Sequence, residues 1–277
     1  MNTARIVIQD LRFAYHESEE VIKGINLSFN RSATALIGEN GSGKTTFVKL
    51  LKGLLRPISG SIYINGYNTA TTTVAKLAKY IGLVFQNPND QLFKQTLIDE
   101  VMFGPLNIGQ PILQAKASAE KALEMVGLSN SKLIHPYDLG LSDRKLVCIA
   151  AVLAMDTDII ILDEPTIAQD YLGKEKIKQI IKELRDQGKL VIAITHDMDF
   201  GAETFERIIV FHDGHVLLDD DTKTVFKEHD LLKEFHLELP HITQLGRKFN
   251  FPEPLLTVDA FVDHIKNRNH QKPSYPL

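Results

Sequence analysis

The sequence predicts an α/β protein: a parallel sheet covered on both faces, with a helical stretch inserted part-way along. Three observations predict it. Gly38-Glu39-Asn40-Gly41-Ser42-Gly43-Lys44-Thr45 fits G-x-x-x-x-G-K-[ST], the phosphate-binding P-loop, between an apolar strand-like run and a helical one. The apolar runs Ile159-Ile160-Ile161-Leu162 and Leu190 to Ile194 alternate with helix-spaced segments, as buried parallel strands do. From about Thr96 to Met155 the pattern is mainly helical, and then strand signals resume.

In chain order, Leu11, Phe13 and Tyr15 alternate with polar or small residues, as do Ile25, Leu27 and Phe29, so both segments predict strands. Thr34-Ala35-Leu36-Ile37 is the strand entering the P-loop. Phe47, Val48, Leu50, Leu51, Leu54 and Leu55 follow it at helical spacing. Ser61-Ile62-Tyr63-Ile64 ends at Asn65-Gly66, a hairpin turn signal. Tyr80 to Phe85 predicts a strand that ends in the polar turn Gln86 to Gln91. Pro111 is expected at the first position of a helix running to Val126, with Gly127 as its stop. Lys174 to Asp186 carries Ile177, Ile180, Ile181 and Leu184 on one helical face and stops at Gly188. Ile208 to Phe211 is a further strand, and Asp213-Gly214 turns it into Val216-Leu217-Leu218. The expected organisation is a main domain over 1–226, with the helical part at about 96–155, and a small helical extension over 227–277 that ends in a Pro-containing stretch.

The totals narrow the function. The 277 residues suit one large domain with an insertion, or two small ones, and 44% hydrophobic content is enough for a sizeable core. A formal net charge of −4 gives no electrostatic reason to expect nucleic acid as partner. The single cysteine, Cys148, cannot form an internal disulfide, which suits a reducing compartment. Met1 to Arg5 runs into a strand-like segment with no signal-peptide pattern, and no apolar stretch approaches the ~18 residues of a membrane span. A membrane, if involved, belongs to a partner.

The chemistry starts at the P-loop. Its glycines let backbone N–H groups converge on phosphate oxygens, and the following helix adds partial positive charge. Lys44 can reach the β- and γ-phosphates, and the Thr45 hydroxyl can ligate Mg²⁺. Asp163 and Glu164 close an apolar strand, where a parallel sheet places ligands. One carboxylate there can hold Mg²⁺ while a second orients water. The plainer reading is two acids capping the next helix. His196, in Ile194-Thr195-His196-Asp197, ends the next strand and points to a γ-phosphate contact, although a lone histidine there is more often structural.

These parts, in this order, resemble the nucleotide-binding subunit of ATP-binding-cassette (ABC) transporters over about residues 5–225. The resemblance implies a P-loop ABC ATPase core with an antiparallel β part, and ATP and Mg²⁺ as cofactors. It places ATP on Tyr15, Asn40, Gly41, Ser42, Gly43, Lys44, Thr45 and Thr46, with Tyr15 stacking on adenine. It gives Mg²⁺ to Thr45, Gln86 and Asp163. Glu164 and His196 become catalytic with Lys44, and Asp170 is the D-loop aspartate. A narrower resemblance lies in Val84 to Phe93, Asp99 to Asn107 and the tail Leu237-Glu238-Leu239-Pro240, which are similar to the ATPases of energy-coupling-factor (ECF) transporters. It implies uptake of a vitamin or transition-metal ion, with two ATPases, a transmembrane coupling subunit and a membrane-embedded substrate-binding subunit. The chain would then lie peripherally on the cytoplasmic face of the membrane. Asn87, Pro88, Asn89, Asp90, Gln91, Leu92 and Phe93 would dock on the membrane subunit.

One motif departs. Where the family carries L-S-G-G-Q, the gapless register from Asp163 holds Leu139-Gly140-Leu141-Ser142-Asp143. Gly140 offers no hydroxyl, Leu141 crowds the backbone approach, and Asp143 brings negative charge towards a partner's triphosphate. Reading Leu141-Ser142 as the Leu-Ser pair instead requires a two-residue deletion in the next helix. The D-loop is also unusual, with Ile167-Ala168-Gln169 before Asp170. The altered signature suggests one half of an ATPase heterodimer. Two alternatives stand beside an importer ATPase: a soluble ABC ATPase acting on nucleic acid or ribosomes, and a regulatory subunit with little turnover.

Overall fold

The computed structural model describes residues 5–16, 19–30 and 32–270. Strands β1 (Ile6–His16) and β2 (Glu19–Phe29) pair antiparallel. β3 (Ala33–Gly38) runs through the P-loop into α1 (Lys44–Leu51). β4 (Ser59–Ile64) pairs with β1 and turns at Asn65-Gly66 into the short β5 (Tyr67–Asn68). Both turn residues have positive φ, 45° and 82°, as the predicted hairpin requires. α2 (Val74–Leu77) leads into β6 (Ile81–Val84).

Three longer helices then intervene before the next strand: α3 (Leu97–Asn107), α4 (Ile112–Met125) and α5 (Leu141–Ala154). They are the expected helical insertion. Pro111 caps α4 rather than opening its first turn, and Gly127, at φ 77°, stops it as predicted. β7 (Ile159–Asp163), α6 (Tyr171–Asp186), β8 (Leu190–Ile194), α7 (Met198–Thr204) and β9 (Arg207–His212) restore the alternation. β10 (His215–Asp221) returns antiparallel to β9. The tail forms α8 (Thr222–Lys227), α9 (His229–Glu234), α10 (His241–Lys248) and α11 (Val258–His270). The Pro-containing end after residue 270 lies outside the described residues.

Among the described residues two sheets form, one in the order β2-β1-β4-β5 and one in the order β10-β9-β3-β8-β7-β6. In the second, β9, β3, β8, β7 and β6 are mutually parallel. Alternation within each strand divides the core. Ile160, Leu162, Val191 and Ala193 face a cluster shared with α3, α4, α5 and α6. Their neighbours Ile159, Ile161, Leu190 and Ile192 face the opposite cluster, shared with α1 and the antiparallel sheet. Burial on both faces is why these strands read as unbroken apolar runs. The carboxyl ends of β3, β7 and β8 thus open side by side at one edge, each leading into a polar residue.

Candidate active site

The P-loop wraps the start of α1. Gly43, at φ 100°, is the N-cap of that helix, and no side chain caps it. The first-turn N–H groups are therefore available to a ligand, and no acid sits in the first turn to oppose an anion. Gly38 is required for space: a Cβ there would lie 2.1 Å from the Phe211 carbonyl oxygen. Lys44 is buried, and its ammonium folds back on the loop. It donates to the carbonyls of Gly38 and Glu39, both at 2.8 Å, and to Ser42 Oγ at 3.1 Å. Burial lowers its pKa to about 8, against the opposing pull of Glu164, Asp163 and Glu39.

Across the loop, β7 delivers Asp163 and Glu164. Both are buried, and Asp163 Oδ1 and Glu164 Oε1 accept no hydrogen bond. Glu164 adopts φ 49°, a left-handed conformation that turns the chain sharply as it leaves the strand, while its N–H donates to the Ile194 carbonyl at 3.0 Å. Burial pushes the Glu164 carboxyl up to about pKa 7; the His196 backbone N–H and the charges of Lys44 and Lys145 pull the other way. Asp163 is also raised by burial, opposed by the charge of Lys145 and by the Thr45 hydroxyl. His196 Nε2 lies 3.3 Å from Glu164 Oε1, at ion-pair distance but without hydrogen-bond alignment. Burial and the charge of Lys44 lower the histidine's pKa, so it is neutral near pH 7.

Asn40, Gly41, Gly43, Lys44, Thr45, Thr46, Gln86, Asp163, Glu164 and His196 line one cavity of about 240 Å³. Ser42 supports it from below through Lys44. Tyr15 stands beside it, half exposed, its hydroxyl 3.2 Å from Thr46 Oγ1. A larger cavity of about 720 Å³ lies between α9 and α10, but none of the P-loop or β7 carboxylate groups lines it. The donor set fits a hard cation such as Mg²⁺: an orphaned buried carboxylate oxygen, a hydroxyl and an amide oxygen share one cavity. Among the described residues no three His, Cys, Asp or Glu side chains form a protein-only metal cage. Such a cation would take its other ligands from phosphate and water.

The other predicted residues lie outside the cavity. Gly140 is the N-cap of α5, and Leu141, Ser142 and Asp143 form its first turn. Ser142 Oγ donates to Gln169 Oε1 at 3.0 Å, and Gln169 Nε2 donates back to the Ser142 carbonyl at 3.0 Å. Asp170 caps α6, accepting from the Gly173 N–H at 2.8 Å, so the helix starts at Tyr171, ahead of the expected Lys174. Within Asn87 to Phe93, Pro88 and Leu92 are buried, and Gln91 is half-buried, its Oε1 accepting from the Phe85 N–H at 3.0 Å. Pro88 and Leu92 cannot form an outer surface; Asn87, Asn89, Asp90 and Phe93 can.

Sequence reasoning passed over several contacts. Arg144 stacks on Tyr137 and donates to Asn89 Oδ1 at 3.1 Å, joining the start of α5 to the turn after β6. His236, between α9 and α10, reaches the P-loop, with Nδ1 2.8 Å from Glu39 Oε1. Lys145, buried in α5, donates to three carbonyl groups. The last left a visible signal: a lysine one residue before the apolar run Leu146 to Leu153, where only a charge with partners is tolerated.

A phosphate-binding backbone facing two buried carboxylates and a neutral histidine, with a helical insertion between β6 and β7, defines an ATP-binding cassette ATPase. The comparisons with known proteins agree. The family described as ABC transporter matches residues 22–167, and the chain belongs to it. A putative ABC transporter ATP-binding protein of Pyrococcus furiosus is 38% identical over 94% of this chain and 99% of its own length. The energy-coupling factor transporter ATP-binding protein EcfA1 of Caldanaerobacter subterraneus is 36% identical over 93% of this chain and 97% of its own. Among solved structures, CbiO1 of Clostridium perfringens, described as part of the ABC transporter complex CbiONQ, superposes with a TM-score of 0.75. It is 29% identical, over 90% of this chain and 99% of that one. The chain is an ABC ATPase, hydrolysing ATP to drive transport. Among the described residues no helix is long and apolar enough to cross a membrane.

Proposed function

We propose that this chain is the hydrolytic half of an ECF-type importer's ATPase heterodimer, driving uptake of a vitamin or transition-metal ion. The likeness to EcfA1 and CbiO1 supports the importer class. The observation that carries the heterodimer is the Ser142–Gln169 pair. The one hydroxyl in the signature segment is engaged within the chain, Gly140 has none, and Asp143 is acidic. Two copies of this chain would face each ATP with that segment, whereas a partner with an intact L-S-G-G-Q would complete this chain's site.

In that site the P-loop N–H groups and Lys44 bind the phosphates, and Tyr15 covers the base. Thr45, Gln86 and Asp163 would hold Mg²⁺, which would supply charge neutralisation to the bound nucleotide. Glu164 orients water and accepts its proton, suited to that by a pKa near 7. His196, neutral, is placed to contact the γ-phosphate. Asn87, Asn89, Asp90 and Phe93 meet the transmembrane coupling subunit at the cytoplasmic face, and a membrane-embedded subunit binds the transported compound. Nucleic acid has no part in this reading.

The experiment is purification of the assembled complex through a tag on this chain, with its ATPase rate measured beside that of the chain alone. The expected result is a second ATPase subunit with L-S-G-G-Q, together with membrane subunits, and turnover only in the complex. Brisk turnover by this chain alone would overturn the reading.

A further inference from the structure

β6 and β7 run together until Val84 faces Leu162, and then they part. The β6 chain leaves through Phe85 and Gln86 towards the exposed turn, while β7 ends at Asp163 and swings through Glu164. Where the ladder stops, the carbonyls of Phe85, Gln86 and Asp163 need donors from elsewhere. Lys145 supplies all three. Its ammonium lies 2.8 Å from the Phe85 oxygen, 3.0 Å from the Gln86 oxygen and 2.7 Å from the Asp163 oxygen. The residue is 1% exposed, and its three N–H groups match three acceptors. An unpaired ammonium could not persist there, so the cleft and the lysine require each other.

We infer that Lys145 is a positioning residue for hydrolysis. It fixes the spacing between Gln86 and the Asp163-Glu164 pair and makes α5 move with both. Two features take it beyond a buried structural contact. Its acceptors are the backbone of Gln86, Asp163 and the residue before Gln86, so a shift of the lysine moves cation donors on both sides of the cavity. It also stands on α5, five residues after Gly140, and its neighbour Arg144 grips Asn89 in the exposed turn. A displacement of that turn therefore reaches the carboxylates within one subunit, through one helical turn of α5. The inference rests on the proposal that Gln86 and Asp163 hold Mg²⁺.

The test is binding of a fluorescent ATP analogue to the full chain, titrated with Mg²⁺, for wild type, Lys145→Met, Lys145→Gln, Lys145→Arg and Asp163→Asn. Met keeps the stem and removes all three donors; Gln keeps a neutral donor; Arg keeps charge and donors. In the Met variant the Mg²⁺ requirement should rise about tenfold or more, the range seen when groups supporting a metal's ligands are lost. Analogue binding without Mg²⁺ should stay within about twofold of wild type, because the P-loop is untouched. Arg should recover part of the Mg²⁺ dependence, and Gln less. A Met variant with lowered melting temperature but unaltered Mg²⁺ dependence makes Lys145 a structural contact only and overturns the inference. Should Met fail to fold, the Gln variant decides by the same readout, with Arg as the rescue, and no Mg²⁺ shift in Gln overturns the inference. Asp163→Asn separates the two layers: no Mg²⁺ shift in that variant sinks the metal assignment itself. A shift there without one in the Lys145 variants sinks only the positioning role.

Discussion

His196 Nε2 stands 3.3 Å from Glu164 Oε1, across the gap between the ends of β8 and β7. The two groups are tuned in opposite directions by the same burial: the carboxyl is pushed up to about 7 and the imidazole is pushed down. Near neutral pH the pair thus holds an uncharged histidine beside a carboxylate on the edge of protonation. Glu164 loses its charge as pH falls through about 7, so hydrolysis should fall roughly tenfold between about pH 8 and pH 6. Glu164→Gln should remove nearly all turnover at every pH. A pH-independent wild-type rate across that range would contradict the role given to Glu164.

The same shift has a consequence for stability. Glu164 binds a proton more tightly folded, near 7, than at its ordinary value of 4.5. The folded state then holds more protons than the unfolded chain between those values, so this group's contribution to stability falls as pH rises through that window. Glu164→Gln removes the buried charge and should raise the melting temperature of the nucleotide-free chain at about pH 8, and hardly alter it at about pH 4.5. Thermal melts of both proteins at the two pH values check this. An equal change at both would mean that the substitution acts through packing instead.

Lys44 sets the other limb. Its pKa is lowered to about 8, and the phosphate contact proposed for it needs the ammonium. ATP affinity should weaken as pH rises through about 8, because binding must then recharge a buried amine. Lys44→Ala should bind more weakly throughout and lose that pH dependence. Calorimetric titration of the full chain at about pH 7 and pH 9 distinguishes them, and parallel losses in the two proteins would point to another titrating group.

Much of this site was legible in the sequence. Gly38 to Thr45, Asp163, Glu164 and His196 stand at fixed offsets from apolar runs, and a parallel sheet brings the ends of such runs together whatever the intervening chain does. Asn65-Gly66 and Asp213-Gly214 were legible because a two-residue hairpin turn needs positive φ, and both pairs have it. What stayed hidden depends on partners distant in sequence. Leu92 looked like part of a docking surface beside Phe93, but α3–α5 bury it, and composition does not reveal which side of a short turn faces in. The early start of α6 was hidden because Tyr171 and Leu172 are largely exposed, against the amphipathic pattern used to find the helix. The Ser142–Gln169 pair spans 27 residues and two loops, beyond any local periodicity.

The exposed turn gives a separable prediction. Glu100 is buried in α3 and accepts the N–H groups of Phe93 and Lys94 at 2.8 and 2.7 Å, which fixes Phe93 outward, edge-on to Phe103. Phe93→Ala and Phe103→Ala remove exposed apolar surface and leave the P-loop intact. Nucleotide binding by the chain should remain within about twofold, while transport by the assembled complex should drop by about tenfold or more, as for buried aromatic anchors of an interface. Loss of ATP binding in these variants would place the two rings in the fold's core machinery rather than on a docking face.

The signature segment carries the prediction with most at stake. If this chain's Lys44, Asp163, Glu164 and His196 meet an intact signature on a second ATPase, its site hydrolyses, and the partner's P-loop meets Gly140 to Asp143. Losing one well-placed donor to a transition state costs about 3–4 kcal/mol, or ~10²- to 10³-fold in rate. The two sites should therefore differ by at least that much, and Glu164→Gln here should nearly abolish turnover while the matching change in the partner costs far less. The reverse experiment is open as well. A Cβ added at Gly140 meets nothing within 4 Å, so Gly140→Ser fits without rearrangement. Combined with Leu141→Gly, Ser142→Gly and Asp143→Gln, it rebuilds L-S-G-G-Q and frees Gln169 from its tie to the Ser142 hydroxyl. That variant should hydrolyse ATP alone, as a homodimer, at least about tenfold faster than the wild-type chain alone. Equal losses from the two glutamate substitutions, or no gain from the rebuilt segment in a well-folded variant, would remove the basis for unequal sites.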